Sequence, residues 1–253
     1  MTYDLLVTAV SERADLFART VTSFLLATDC PPRRIIVHED VKPGSRAGVI
    51  AAFLAEEIAP KGIETRVIVR DPAAGMGPAI RVLLHENTTP IIFYMPEDFD
   101  FVRPVPVAAA LTLMQRHEIH HIAFGKRATP AAKHPGQADE WRKEVRHFDG
   151  QALTIAQSWR SQASLWRVAV IRPFFDRLVR EDAEPERWAM VKINRWMNEA
   201  MLGDVHGNDH EGRAAHLRTY LWGGIGEPQF IEHTGGDRRA EIQSIERYGA
   251  PAR

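Results

Sequence analysis

The chain has one cysteine, Cys30, in 253 residues. That excludes an internal disulfide framework and suits a reducing compartment. Net charge is almost absent: 32 basic against 33 acidic side chains leave −1. No global field therefore steers the protein toward nucleic acid or an anionic membrane, although local basic patches are not excluded. Long apolar runs are missing too, and "PVPVAAALTLM" is too short to cross a bilayer. The start, "MTYDLLVTAVSERAD", lacks the basic opening and apolar core of a signal peptide. No repeat or low-complexity tract is visible. What is present is ordinary globular composition, 45% hydrophobic and 26% charged, enough for a sizeable core. The expectation is a soluble, cytoplasmic protein of one domain, residues 1–253.

The first half alternates two periodicities. "DLLVTAV" reads as a short buried strand, and "RRIIVHED", "ETRVIVRD", "PIIFYM" and "IHHIAF" read as further strands. Between them, "RADLFARTVTSFLLAT", "GVIAAFLAEEIA", "MGPAIRVLLHEN" and "PVAAALTLMQRH" read as helices. In the first helix Leu16, Val21, Phe24 and Leu25 are expected along one apolar face. Strand–helix alternation predicts an α/β fold: a mostly parallel, Rossmann-like sheet flanked by helices, with ligands beyond the carboxyl ends of the strands. Those ends carry Ser11-Glu12-Arg13, His38-Glu39-Asp40, Arg70-Asp71 and Glu97-Asp98-Phe99-Asp100.

The second half is less regular. Gly125 to Gln151 is polar and locally basic, with Lys126, Arg127, Lys133, Arg142, Lys143 and Arg146 interspersed with acids. "SLWRVAVIRPFFDRLVRED" resumes apolar periodicity, and "EPERWAMVKINRWMNEAM" is a helix candidate with Pro185 near its first turn. "DVHGNDHEGR" offers His206, Asp209, His210 and Glu211, but no companion zinc ligands at a recognisable spacing, so a polar loop is the better reading.

The stretch with most chemical content is "TPIIFYMPEDFDF", Thr89 to Phe101, where a buried strand runs into three carboxylates. Such acids can hold a divalent cation that bridges the phosphates of a nucleotide. Asp98 and Asp100 are two apart, so in extended backbone both would point the same way, and either could reach one metal directly or through water. The competing reading is a solvated acidic turn.

Read in order, "LLVTAVSERADLFARTVTSFL", "RIIVHED", "DPAAGMGPAIRVLL", "FYMPEDFDF", "SLWRVAVIRPFF" and "FIEHTGGDRR" resemble the segments of GT-A glycosyltransferases, especially family-2-like inverting enzymes. "PEDFDF" stands where those enzymes carry a D-x-D or E-D-D motif, here as an E-D-x-D variant. The variant leaves open which acids ligate, and the Asn often found in the third-helix turn is absent. The resemblance implies a nucleotide-sugar-binding half at 1–124 and an acceptor-binding half at 125–253. It implies a nucleotide-sugar donor, a UDP-sugar foremost, and Mn²⁺ or Mg²⁺ as cofactor.

The resemblance assigns Asp98, Asp100 and His233 to the metal, with Glu97 in reserve. Thr8, Ser11, Glu12, Arg13, Asp40, Gly77, Arg81, Glu97, Asp98 and Trp222 would line the donor, with Trp222 on a lid. Ser11 and Asp40 also read as capping or turn residues, and His233, one of 11 histidines, also reads as an ordinary one. A general base is expected among Asp182, Glu184 and Glu186, with Glu186 preferred, although a helix N-terminus lowers the basicity of an acid placed there. Trp188 and Trp196 sit at core spacing on one helix.

Three functions compete. The leading one is a metal-dependent glycosyltransferase whose acceptor, a glycan, protein, small molecule or hydroxylated DNA base, stays open. The basic excursion is what keeps DNA in view. The second is a nucleotidyltransferase, disfavoured because "TAVSERAD" lacks glycine. The third is a non-catalytic nucleotide-binding or interaction module.

Overall fold

The computed structural model describes residues 2–73, 75–124, 145–156, 162–180, 193, 196–197, 217–224, 227 and 229–234. Eleven strands and five helices are defined there. The strands are β1 (Asp4–Val10), β2 (Arg34–Asp40), β3 (Glu64–Arg70), β4 (Ile91–Pro96), β5 (Phe99–Phe101), β6 (His121–Ala123), β7 (Val145–Phe148), β8 (Gln151–Ile155), β9 (Ser164–Arg167), β10 (Thr219–Trp222) and β11 (Ile231–His233). The helices are α1 (Ala14–Ala27), α2 (Val49–Phe53), α3 (Met76–Glu86), α4 (Val107–Arg116) and α5 (Val168–Arg180). Helix α2 continues as a wider π-helical turn, Leu54–Ile58.

Nine strands form one sheet in the order β3-β2-β1-β4-β9-β6-β10-β8-β7. Strands β3, β2, β1 and β4 are mutually parallel. Strand β9 enters antiparallel between β4 and β6, and β8 runs antiparallel to β10 and β7. All the others point one way, as expected for a mostly parallel sheet. Four strands from beyond residue 124 join this sheet, so both halves of the sequence share one scaffold.

The inner strands β1, β2 and β4 are buried on both faces, which explains why strands such as "IIFYM" read as unbroken apolar runs, whereas the edge strand β3 is largely exposed. On β4, Ile91, Phe93 and Met95 face the core shared with α1 and α4, while Ile92 and Tyr94 face the core shared with α3 and α5. Phe24 packs on Phe93 at 4.6 Å between ring centres, and Tyr94 on Trp166 at 4.5 Å. Helix α1 buries Phe17, Val21 and Phe24 together with Thr20. Leu16 and Leu25, expected on the same face, lie at its margins, half-buried. Trp196 is buried as its spacing predicts, with the Arg177 guanidinium over its ring.

At the amino ends of the strands Asp4 is fully buried. Arg34 contacts it at 2.8 Å and Arg33 at 3.1 Å, close enough for short charge-assisted bonds. This pair ties β1 to β2 on the side away from the site.

Candidate functional site

Strand order reverses at β1: β2 lies on one side and β4 on the other. In open α/β sheets the crevice at such a switch point is where ligands bind. Two loops leave the sheet there. One is the turn Ser11–Arg13 after β1, and the other is Glu97-Asp98 after β4.

The acidic turn is held from two directions. From α1, Thr20 Oγ1 donates to the Glu97 carbonyl at 2.6 Å and accepts from the Phe99 N–H at 3.1 Å. Ser23 Oγ, one turn on, accepts from the Phe101 N–H at 3.1 Å. Helix α1 thus uses two of its hydroxyls, Thr20 and Ser23, to replace strand partners that β5 lacks on that edge. From the far end of the chain, β11 pairs antiparallel with β5, setting His233 opposite Phe99 and Glu232 opposite Asp100. The Thr234 N–H donates to the Asp98 carbonyl at 2.9 Å. "PEDFDF" and "FIEH", 135 residues apart at their closest side-chain contact, are therefore one local structure.

The charges divide unevenly. Asp98 Oδ2 lies 3.0 Å from His233 Nε2, with the Phe99 ring edge-on to the imidazole at 5.3 Å. Arg13 Nη1 lies 3.4 Å from Glu97 Oε1 and 3.5 Å from Asp98 Oδ2. Asp100 instead pairs with Arg19 on α1. Glu97 is buried; burial first, then the Asp98 charge, push its carboxyl up to about 7 despite Arg13. Below the rim the Thr8 and Tyr94 hydroxyls meet at 2.9 Å, and burial raises the Tyr94 phenol far above its usual range.

Asp98 and Asp100, both expected at the metal, take different partners: Asp98 meets His233 and Arg13, and Asp100 pairs with Arg19. The chain bends at residues 97–98, so the two-residue alternation of a straight strand does not carry across. Among the described residues no three His, Cys, Asp or Glu side chains gather as a metal cage. Asp98 with His233 still suits a cation. Donors about 3 Å apart match adjacent ligands of an ion bound at about 2.1 Å, and Mg²⁺-type ions commonly take only one or two carboxylates plus substrate phosphates. Imidazole is also a good Mn²⁺ ligand.

The remaining expected residues distribute as follows. Asp40, at the end of β2, accepts the Gly75 N–H at 2.8 Å, and its Oδ1 lies 3.5 Å from His38 Nδ1. It fastens the loop entering α3, where Gly75 takes φ +79°, open to glycine. Ser11 Oγ bonds Ser45 Oγ at 2.6 Å and sits 3.4 Å from the Lys42 N–H, joining the first loop to the loop after β2. Glu12 is exposed, and Gly77 is buried in the first turn of α3. Arg81, expected at the donor, instead pairs with Asp176 of α5 at 3.1 Å, alongside His85. Its position on α3 points it to the neighbouring helix. Trp222, expected on a lid, is a buried residue of β10 stacked on Phe124. Asp182, Glu184, Glu186 and Trp188 lie outside the described residues, as do 125–144 of the basic excursion and the "DVHGNDHEGR" loop.

Sequence reasoning missed Arg19, Thr20 and Ser23. Their signal was available: a polar strip at i, i+1 and i+4 on an amphipathic helix.

No family model and no curated protein matches the chain. Solved structures do match. TarS from S. aureus (residues 1–349, in complex with UDP) superposes with a TM-score of 0.54 at 12% identity, over 91% of this chain and 60% of that one. The mannosyltransferase PcManGT from Pyrobaculum calidifontis, in complex with GDP-Man and Mn²⁺, gives 0.52 at 12% identity, over 96% and 60%. A putative glucose-1-phosphate thymidylyltransferase from Bacillus anthracis gives 0.52 at 8% identity, over 100% and 97%. The chain thus spans about 60% of the length of the two glycosyltransferase chains it matches. No helix among the described residues is long and apolar enough to cross a membrane. At these identities the likeness is one of architecture: the chain has the α/β fold shared by GT-A-like glycosyltransferases and nucleotidyltransferases.

Proposed function

We propose that the protein is a metal-dependent glycosyltransferase that moves a sugar from a nucleotide sugar, foremost a UDP-sugar, to an acceptor hydroxyl with inversion. The observation that carries this reading is the Asp98–His233 contact of 3.0 Å at the β1/β4 switch point. Asp98 and His233 would hold Mn²⁺ or Mg²⁺, which when bound neutralises the diphosphate leaving group. Thr20 and β11 fix the backbone on both sides of Asp98, so its carboxylate is aimed before any ligand arrives. Phe99 restrains the His233 ring, and Arg13 supplies positive charge at the same rim. Asp182, Glu184 and Glu186 remain the proposed sources of the general base, Glu186 first. The acceptor class stays open, with DNA as a minority candidate through Lys126 and Arg127.

The fold's bound relatives support a nucleotide-sugar donor: TarS is seen with UDP and with UDP-GlcNAc, PcManGT with GDP-Man and Mn²⁺. A second reading, nucleotidyl transfer, is favoured by the match along nearly the whole thymidylyltransferase chain. The glycine-free first loop counts against it. A screen of nucleotide sugars with Mn²⁺ and Mg²⁺ separates them. Release of free nucleoside diphosphate from one donor, abolished by EDTA, is the expected result. Pyrophosphate release from a nucleoside triphosphate and a sugar phosphate would establish the second reading instead.

A further inference from the structure

The acidic turn has its own internal cation. Arg13 Nη1 sits 3.5 Å from Asp98 Oδ2, the same oxygen that meets His233. It also sits 3.4 Å from Glu97 Oε1. Both contacts are longer than the roughly 2.7–2.9 Å of a good charge-assisted bond. The contrast with the opposite end of β1 is direct, since Arg34 holds buried Asp4 at 2.8 Å and donates again to the Glu86 carbonyl at 3.2 Å. Arg34 is locked, whereas Arg13 makes single, long contacts and keeps 20% of its side chain exposed at the rim. A guanidinium and a divalent ion on one carboxylate oxygen repel each other strongly at this separation. The guanidinium fork fits phosphate oxygens as well as carboxylate oxygens.

We propose that Arg13 is an exchangeable counter-ion. It offsets the charge of Asp98, beside Glu97, while the site is empty of ligand, and it swings to the diphosphate when nucleotide and metal enter together. Arg19 pairs with Asp100 instead, so the exchange proposed for Arg13 concerns the Glu97-Asp98 pair. The consequence is positive coupling. Metal alone must displace Arg13 from Asp98, whereas nucleotide takes Arg13 away and lends its own phosphates. By linkage each ligand raises the affinity for the other by the same factor. This inference rests on the proposed nucleotide-sugar reading of the site.

The test is calorimetric titration of Mn²⁺ into the full chain, with and without UDP, for wild type and Arg13→Gln. Wild type is expected to bind Mn²⁺ weakly alone and at least about tenfold more tightly with UDP. Arg13→Gln is expected to bind Mn²⁺ alone about fivefold more tightly than wild type, and to lose most of the UDP enhancement. Arg13→Lys keeps the charge without the fork and is expected to fall between them, which provides the readout if the glutamine variant does not fold. A coupling factor unchanged in the variants overturns the exchange while leaving the glycosyltransferase reading intact. No Mn²⁺ binding by wild type under any condition overturns both.

Discussion

Two strands of this sheet end on acidic runs at the same rim, and they are put to different uses. At the end of β2, Glu39 and Asp40 are buried. Asp40 accepts the backbone N–H of Gly75. Burial raises the Glu39 carboxyl above its usual range, and the Gly48 backbone amide partly offsets this. Burial likewise holds the neighbouring His38 imidazole below its usual value, against the upward pull of Asp40. Asp40 braces the loop into α3. At the end of β4 the partners are basic side chains: Arg13, Arg19 and His233. An acidic strand end becomes a candidate site through the cations and imidazole that a distant segment brings to it, rather than through the acids themselves.

The comparison breaks most visibly at Asp98. Asp98→Asn should lower metal-dependent donor turnover about a thousandfold, roughly 4 kcal/mol of barrier, with the fold intact by circular dichroism. Asp100→Asn, already committed to Arg19, should lose about tenfold or less in the same assay. Equal losses would restore the two acids to equal roles.

Glu97 sharpens the contrast within the β4 end. Its carboxyl titrates near 7 folded, against an ordinary 4.5. The folded chain therefore holds a proton that the unfolded chain has released, and this contribution to stability is lost as pH rises through that window. Glu97→Gln does not titrate. Relative to wild type it should gain about 2 kcal/mol in urea unfolding free energy between about pH 5 and pH 8. A pH-independent difference would show that Glu97 is ionised throughout.

The smallest effect belongs to the β2 end. Asp40→Ala should cost about 1.5 kcal/mol of stability by orphaning the Gly75 N–H. Turnover in that variant should stay within about threefold of wild type once the protein is folded. A large rise in donor KM without loss of stability would make Asp40 a nucleotide contact after all.

The parallel half of the fold was legible because a strand buried on both faces leaves an unbroken apolar run, and a helix packed on one side leaves a 3.6-residue stripe. "IIFYM" and "ADLFARTVTSFLLA" show both plainly. Strand β9 was not legible. "SLWR" is only four residues long and merges with the periodicity of α5 directly after it, so nothing local marks it as an antiparallel insertion between β4 and β6. The β7–β8 hairpin left a readable sign: Asp149-Gly150 both take positive φ, and an Asp-Gly pair between two short β-prone runs is a strong hairpin signal. For the site, "PEDFDF" and "FIEH" could be picked out separately. Their contact depends on β5 pairing with β11, a long-range event that neither segment encodes alone. The partition of Asp98 from Asp100 depends on Arg13 and Arg19, which lie more than 75 residues earlier.

The decisive measurement is UDP binding by calorimetry at fixed Mn²⁺, comparing wild type, Asp98→Asn and Asp40→Ala. A β4-end site predicts metal-dependent binding in wild type, the same affinity within about threefold in Asp40→Ala, and loss of at least about a hundredfold in Asp98→Asn. Metal-independent binding that survives in Asp98→Asn, or binding lost in Asp40→Ala alone, would contradict it.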